Sequence, residues 1–217
     1  MTLATLELAS LLCSRLCHDL LSPVGALSNG LELLADEKDP DMRQRCFELL
    51  EQSAKTSADK LRFFRLAFGA GGGFGEAVAM HEPRAVIDAL VGNNGRIAVT
   101  WALASETMPK PAVKVLLNLA MIGIEALVRG GTLDIVAETR DTPQGPVSEI
   151  VIRAAGARIA FDPTVGQALD GTLATSALSP KTAPAYMIEQ LVTGFGGGLQ
   201  TQVSAGQLVM GAVLPAA

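Results

Sequence analysis

Two long stretches at the start of the chain repeat apolar residues at alternating spacings of three and four, the period of an amphipathic helix. In the first, over residues 5–36, the apolar seam consists of Cys13, Leu16, Leu20, Val24, Leu27, Leu31 and Leu34. In the second, over residues 40–68, one side carries Met42, Cys46, Leu49, Ser53, Ser57, Leu61, Phe64 and Phe68. Asp39 is placed to cap the second helix, and Pro40 suits its first turn. The short connection predicts an antiparallel helical hairpin.

A single hairpin covers only one side of each apolar seam. A second copy of the chain would cover the other side and complete a four-helix bundle, which is the economical way to bury two long seams. The periodicity therefore predicts a homodimer.

Five glycines fall within residues 69–75. We interpret this segment as a linker, because it follows a helix and lacks the Lys-Ser/Thr ending of a phosphate-binding loop. The remainder alternates apolar strands and helices. The predicted strands are at 76–80, 96–103, 132–139, 147–153, 199–204 and 207–214, and the predicted helices at 83–91, 109–128, 162–169 and 184–194. The expected fold class is α+β, with a helical hairpin at 1–68, the linker at 69–75 and a two-layer α/β domain at 76–217.

The composition is that of a folded protein rich in helix, with 49% apolar and only 4% aromatic residues. A formal net charge of −5 provides no positive field for a phosphate backbone, so we expect no direct nucleic-acid partner. No apolar run approaches the ~20 residues of a membrane helix, and the first residues lack the pattern of a secretion signal. We therefore expect a cytoplasmic protein without membrane association.

The three cysteines, Cys13, Cys17 and Cys46, all lie in the predicted hairpin. Their spacing does not match haem attachment, and zinc sites normally bring a second pair of ligands. We expect buried structural thiols and no metal site.

His18 lies on the side of the first helix opposite the apolar seam. At about 100° of rotation per residue, the seam falls roughly 160° to 240° away from it. Among the residues within about 60° are several polar or very small side chains, and with His18 they form what we call the histidine stripe: Ser14, Arg15, Ser22, Gly25 and Asn29. A neutral imidazole with a pKa of ~6.5 is a nucleophile near neutral pH. Ser14, Ser22 or Asp19 can orient its other nitrogen.

Pro23 removes a backbone donor within the first helix and crowds the carbonyl of Asp19, so a bend is expected just beyond His18. The segment at 17–24, Cys-His-Asp-Leu-Leu-Ser-Pro-Val, resembles the phosphoacceptor box of sensor histidine kinases. Its extension through Gly25 and the Asn-Gly-Leu-Glu-Leu-Leu run at 29–34 resembles more narrowly the ChpT-type histidine phosphotransferases of alphaproteobacteria. The resemblance spans the hairpin and, more weakly, the whole chain.

The resemblance implies that the second domain has the fold of the histidine kinase ATPase (Bergerat) domain, but the ATP-binding boxes are altered. In the helix that resembles the asparagine box, Ile122 stands where an asparagine would hold magnesium, and Asn118 alone is no metal site. The adenine-recognising box falls at 154–158, Ala-Ala-Gly-Ala-Arg, without its aspartate. The segment at 179–185 replaces a glycine-rich lid. We therefore expect no ATP binding and no intrinsic cofactor.

The function implied by the resemblance is a phosphorelay, in which His18 takes a phosphoryl group from one receiver aspartate and passes it to another. Arg15 is expected to attract acidic receiver groups or steady the phosphoryl, and Asp19 is either a base or an ordinary solvated carboxylate. Gly25 permits close approach of a receiver helix and Asn29 offers a polar contact, unless both are incidental surface residues. Magnesium is expected on the receiver partner.

The partners implied by the family are a hybrid histidine kinase upstream and response regulators of the CtrA and CpdR type downstream. Two alternatives stay open from the sequence. One is an active histidine autokinase, which requires that the altered boxes still bind ATP. The other is a non-catalytic dimeric scaffold that binds receivers and sequesters them.

Overall fold

A computed structural model describes residues 3–69, 77–92 and 95–215. The chain begins with two long helices, α1 (Leu3–Asp36) and α2 (Pro40–Ala67), which pack against each other as an antiparallel pair. Asp39 caps α2, since its side chain accepts a hydrogen bond from the backbone N–H of Asp41 at 3.0 Å. Arg43 donates to the backbone carbonyls of Leu34 and Glu37 at 3.1 and 2.9 Å, which satisfies acceptors left open at the end of α1. The predicted hairpin and its cap are confirmed.

The rest of the described chain is a mixed α/β unit. Its helices are α3 (His81–Gly92), α4 (Lys110–Ala126), α5 (Pro163–Leu169) and α6 (Ala183–Gly194), with a short 3₁₀ turn at Thr175–Ala177. Its strands are β1 (Ala77–Ala79), β2 (Ile97–Leu103), β3 (Thr107–Pro109), β4 (Gly131–Thr142), β5 (Gly145–Ala155), β6 (Gly198–Ser204) and β7 (Gln207–Pro215). Each predicted element is present with small shifts at its ends. The strand β3 and the 3₁₀ turn were not predicted, because three residues are too few to show a period.

Five strands form the main sheet in the order β2-β4-β5-β7-β6, while β1 and β3 form a separate antiparallel pair. Only the β2–β4 pairing in the main sheet is parallel. Alternate residues of the strands are buried, as expected for a sheet covered by helices on one face. Helix α4 lies close against this face, where a Cβ added to Gly123 would stand 2.7 Å from the Leu133 side chain.

The hydrophobic core of the α/β unit also contains the last turns of α2. Phe63, Phe64 and Ala67 are buried in the same cluster as the sheet residues and α4. Asn118 of α4 strengthens this junction, since its amide nitrogen donates to the backbone carbonyls of Lys114 at 2.8 Å and Ala67 at 3.5 Å. The hairpin and the α/β unit therefore share packing at the end of α2.

Several large apolar side chains of the hairpin are exposed in the single chain, and they are Leu6, Leu21, Val24, Leu31, Leu33, Met42, Phe47, Leu49 and Leu61. The expectation of buried thiols is confirmed for Cys46 and is wrong for Cys13 and Cys17, which are exposed. Cys13 is exposed because one hairpin covers only part of the seam that contains it, and Cys17, the residue before His18, lies outside that seam.

The predicted linker at 69–75 lies outside the described residues except for Gly69, so the predicted domain division stays a prediction. Among the described helices, none combines the length and the apolar character needed to cross a membrane.

Candidate functional site

His18 lies near the middle of α1 with 83% of its side chain exposed. The exposure expected from the helical wheel is thus confirmed. Ser14 and Ser22, one turn to either side, and Asn29, farther along α1, are also exposed. Gly25 is half-buried, yet a Cβ added there would meet no atom within 4 Å. This part of the histidine stripe presents a nucleophile beside small and polar side chains, and Leu21, three residues beyond His18, is a bulky exposed neighbour.

Asp19 approaches the imidazole from the same helix. Its Oδ1 lies 3.4 Å from His18 Nδ1, at the outer limit of hydrogen-bond distance. A carboxylate only accepts hydrogen bonds, so this contact favours the tautomer with the proton on Nδ1. The lone pair is then on Nε2, the nitrogen that points away from Asp19. The geometry suits attack by Nε2 on an electrophile brought by a partner.

Arg15 belongs to the histidine stripe by position, but its side chain turns toward the α/β unit and is only 15% exposed. Its Nε donates to Asp19 Oδ2 at 2.7 Å, and its Nη2 donates to Glu125 Oε1 at the end of α4. Burial of the guanidinium acts to lower its pKa, but the two carboxylates outweigh burial, and the pKa of Arg15 is raised. Arg15 is a permanent cation already engaged by two anions.

Sequence reasoning missed Glu125, which is separated from Arg15 by 110 positions. A single sequence gives no local signal for such a pair.

Sequence reasoning also missed Lys60. Pro23 has no N–H to give to the Asp19 carbonyl, and Lys60 Nζ of α2 donates to that oxygen at 2.7 Å. Because residues at similar distances from the turn of an antiparallel hairpin lie opposite each other, this partner was open to prediction. The bond ties α2 to α1 one residue beyond His18 and brings a cation close to the site.

A cleft of about 300 Å³ lies where α1 meets the α/β unit, and Arg15, Ile122 and Glu125 contribute to its lining. Lys181 and Asp162 form an ion pair of 2.6 Å in the same cleft. Hydrogen bonds from Lys181 and from Thr164 lower the pKa of Asp162 to about 2. Both cations of the cleft are therefore paired within the chain.

The positions that correspond to the altered ATP-binding boxes are apolar or otherwise engaged. Ile122 is buried and gives the cleft an aliphatic side chain instead of an oxygen donor. Ala154 is fully buried in β5 and carries no group that could hydrogen-bond a base. The amide nitrogen of Asn118 already donates hydrogen bonds to backbone carbonyls, one of them at the junction with α2.

The profile of the family described as the histidine phosphotransferase C-terminal domain matches residues 80–207. The chain belongs to this histidine phosphotransferase family. Among curated proteins, the protein phosphotransferase ChpT of Brucella abortus (strain 2308) is 42% identical over 141 residues, which are 65% of this chain and 66% of the relative. The match thus spans slightly less than two thirds of the length of that relative. The resemblance to ChpT-type phosphotransferases is confirmed.

One solved structure extends the similarity over nearly all of the histidine phosphotransferase chain. A 1.7 Å structure of a bacterial phosphotransferase is 31% identical, covers 98% of this chain and 98% of that chain, and has a TM-score of 0.82. The histidine kinase AdeS of Acinetobacter baumannii is 13% identical, covers 91% of this chain and 97% of that chain, and has a TM-score of 0.47. The match to the phosphotransferase includes the hairpin and the α/β unit, which confirms the expected α+β class.

Proposed function

We propose that this protein relays a phosphoryl group between aspartates of partner receiver domains through His18, without using ATP. The observation that carries the proposal is an 83% exposed imidazole whose Nδ1 lies 3.4 Å from Oδ1 of Asp19. Membership of the histidine phosphotransferase family supports the reaction class.

In the proposed reaction, Nε2 of neutral His18 attacks the phosphorus of a receiver aspartyl phosphate in line. The N–P bond forms as the P–O bond to the receiver carboxylate breaks, and the electron pair leaves with that carboxylate. The ring becomes a phosphoimidazolium whose Nδ1 proton stays next to Asp19, which stabilises the positive charge. The reverse attack by the aspartate of a second receiver completes the relay, and both directions depend mainly on positioning and charge neutralisation.

Within this proposal Asp19 orients the imidazole, and Ser14, Ser22, Gly25 and Asn29 form the surface that the receiver contacts. Magnesium would come with the receiver and neutralise the phosphoryl oxygens there. CtrA-type and CpdR-type regulators are the proposed recipients, and a hybrid histidine kinase receiver is the proposed donor. A cytoplasmic location belongs to the same proposal.

The paired cations of the cleft support a relay that does not use ATP. Phosphate groups entering the cleft would compete with Glu125 for Arg15 and with Asp162 for Lys181. The aliphatic side chain of Ile122, which lines the cleft, provides no hydrogen-bonding group for a nucleotide. An active autokinase is not favoured.

A radiolabel experiment tests the relay and its rivals together. Purified receiver carrying labelled phosphoryl is mixed with the wild type, with His18→Ala and with His81→Ala, which removes the other histidine of the chain. We expect label on the wild type and on His81→Ala, and none on His18→Ala. Binding of the receiver without transfer to the wild type would support the scaffold. Label acquired from ATP in the absence of any receiver would support the autokinase.

A homodimer is part of the proposal. The apolar residues left exposed on the hairpin support it, among them Val24 and Leu31 of the predicted seam, at 48% and 60% exposure. We expect light scattering to give the mass of two chains for the wild type, and of one chain for Leu31→Glu. Val151→Glu, on the open face of the sheet, is the control and should remain dimeric. A monomeric wild type would contradict the dimer.

A further inference from the structure

The ion pair between Arg15 and Glu125 joins the phosphoacceptor helix to the end of α4. Arg15 is 15% exposed and Glu125 is 41% exposed, so the pair lies at the boundary between the hairpin and the α/β unit. Arg15 uses two different nitrogens for its two partners, with Nε on Asp19 and Nη2 on Glu125. The planar guanidinium therefore fixes the two carboxylates relative to each other.

This arrangement divides the two oxygens of Asp19 between two donors. Oδ2 receives Arg15 Nε at 2.7 Å, and Oδ1 faces His18 Nδ1 at 3.4 Å. An arginine can also bind both oxygens of one carboxylate through a two-pronged contact. Glu125 opposes that alternative here, because it holds Nη2 and leaves Oδ1 of Asp19 available to the imidazole.

We propose that Glu125 and Arg15 are positioning residues for the phosphotransfer step, which makes this inference dependent on the proposed function. Glu125 restrains Arg15, Arg15 restrains Asp19, and Asp19 keeps the Nδ1 proton on His18 so that Nε2 remains the nucleophile. Through this chain of contacts the α/β unit acts on the imidazole without touching the phosphoryl group. Glu125 thus gives that unit a role in the reaction that does not involve a nucleotide.

Removing the charge of Glu125 is expected to change which ring nitrogen of His18 carries the proton. In Glu125→Gln, Nη2 of Arg15 loses its anionic partner and is free to bind the second oxygen of Asp19. The imidazole then loses its acceptor, and the tautomer with the proton on Nε2, which is the one free histidine favours in water, becomes populated. That tautomer has no lone pair on the nitrogen exposed to the receiver. We expect kcat for transfer to fall several-fold while KM for the receiver changes little.

Nitrogen NMR of the neutral imidazole in alkaline buffer measures the tautomer directly. His81→Ala assigns the signals. We expect His18 of the wild type to carry its proton mainly on Nδ1, and Glu125→Gln to shift the population toward Nε2. Arg15→Lys should behave like Glu125→Gln, because a single ammonium cannot hold both carboxylates in the same geometry. Glu149→Gln is the matched control, since it breaks the Arg140–Glu149 pair on the sheet.

The outcomes separate this inference from the proposed function. An unchanged tautomer and an unchanged kcat in Glu125→Gln would overturn the positioning role while leaving the relay intact. An equal change of the His18 tautomer population in Glu149→Gln and in Glu125→Gln would also overturn the positioning role. The effect would then follow from the loss of any ion pair. If the wild type fails to accept label from a receiver, the relay fails, yet the tautomer measurement still reports whether Glu125 orients the ring.

Discussion

Replacing Lys60 by methionine removes the donor that serves the Asp19 carbonyl and keeps most of the aliphatic chain. The structure predicts a loss of stability, because Pro23 denies that carbonyl its normal helical partner and the bond from Lys60 at 2.7 Å is partly buried. Hydrogen bonds to charged groups contribute about 1.5–3 kcal/mol, and partial burial of this one points to about 2 kcal/mol. For a chain of this size about 2 kcal/mol corresponds to a fall in Tm of about 4–8 °C.

Thermal unfolding followed by circular dichroism measures this loss, with all variants at one protein concentration because association raises apparent stability. Lys55→Met is the control, since Lys55 is an exposed lysine of the same helix. We expect its Tm to stay within about 1 °C of the wild type, as is usual for surface substitutions.

The decisive step is to repeat the substitution in a Pro23→Ala background. Alanine restores the N–H that bonds to the Asp19 carbonyl, so Lys60 is no longer the principal donor. In the double-mutant cycle, we expect the loss of unfolding free energy caused by Lys60→Met to be smaller in this background than in the wild type, by about 1 kcal/mol or more. Equal costs in both backgrounds would refute the reasoning that Lys60 compensates for the proline.

Two further predictions concern the histidine stripe and the cleft. Gly25→Ala should raise stability by about 0.5–1 kcal/mol, because its Cβ meets no atom within 4 Å, and should slow transfer if a receiver packs there. Gly30→Ala is the comparison variant, because its added Cβ would lie 3.0 Å from the Leu50 side chain. Urea unfolding measures the stability of the two variants, and transfer kinetics measure their activity. The low pKa of Asp162, about 2, predicts stability that is fully present above about pH 4 and is lost as the pH falls through about 2. Asp162→Asn should lose this dependence in acid titrations of unfolding, and an unchanged titration would contradict the assignment.

The sequence is sufficient to predict the hairpin and the order of the α/β elements because the periods are long and the capping residues are local. Pro40 and Asp39 mark the start of α2 as the structure has it. The exposure of His18 also follows from sequence, since it depends only on helical geometry.

The sequence does not predict contacts between distant elements. The helical wheel places Arg15 beside His18 but cannot show that the long side chain turns toward Glu125. Lys60 was within reach of prediction from the hairpin, but choosing it among several polar residues of α2 requires the register. The exposure of Cys13 depends on how much of the seam one hairpin covers, and periodicity alone does not measure this.

The burial of Phe63 and Phe64 in the α/β core limits how far the two parts of the molecule can move apart. Exposing one such side chain to water costs about 1.5–3 kcal/mol, so separation at the end of α2 carries a penalty of several kcal/mol. A unit that delivered ATP to His18 would have to move toward the histidine, and the burial of these side chains opposes such movement. Under the proposed relay, the anchoring of α2 favours a fixed platform, and the arriving receiver would supply the movement that brings the reacting groups together.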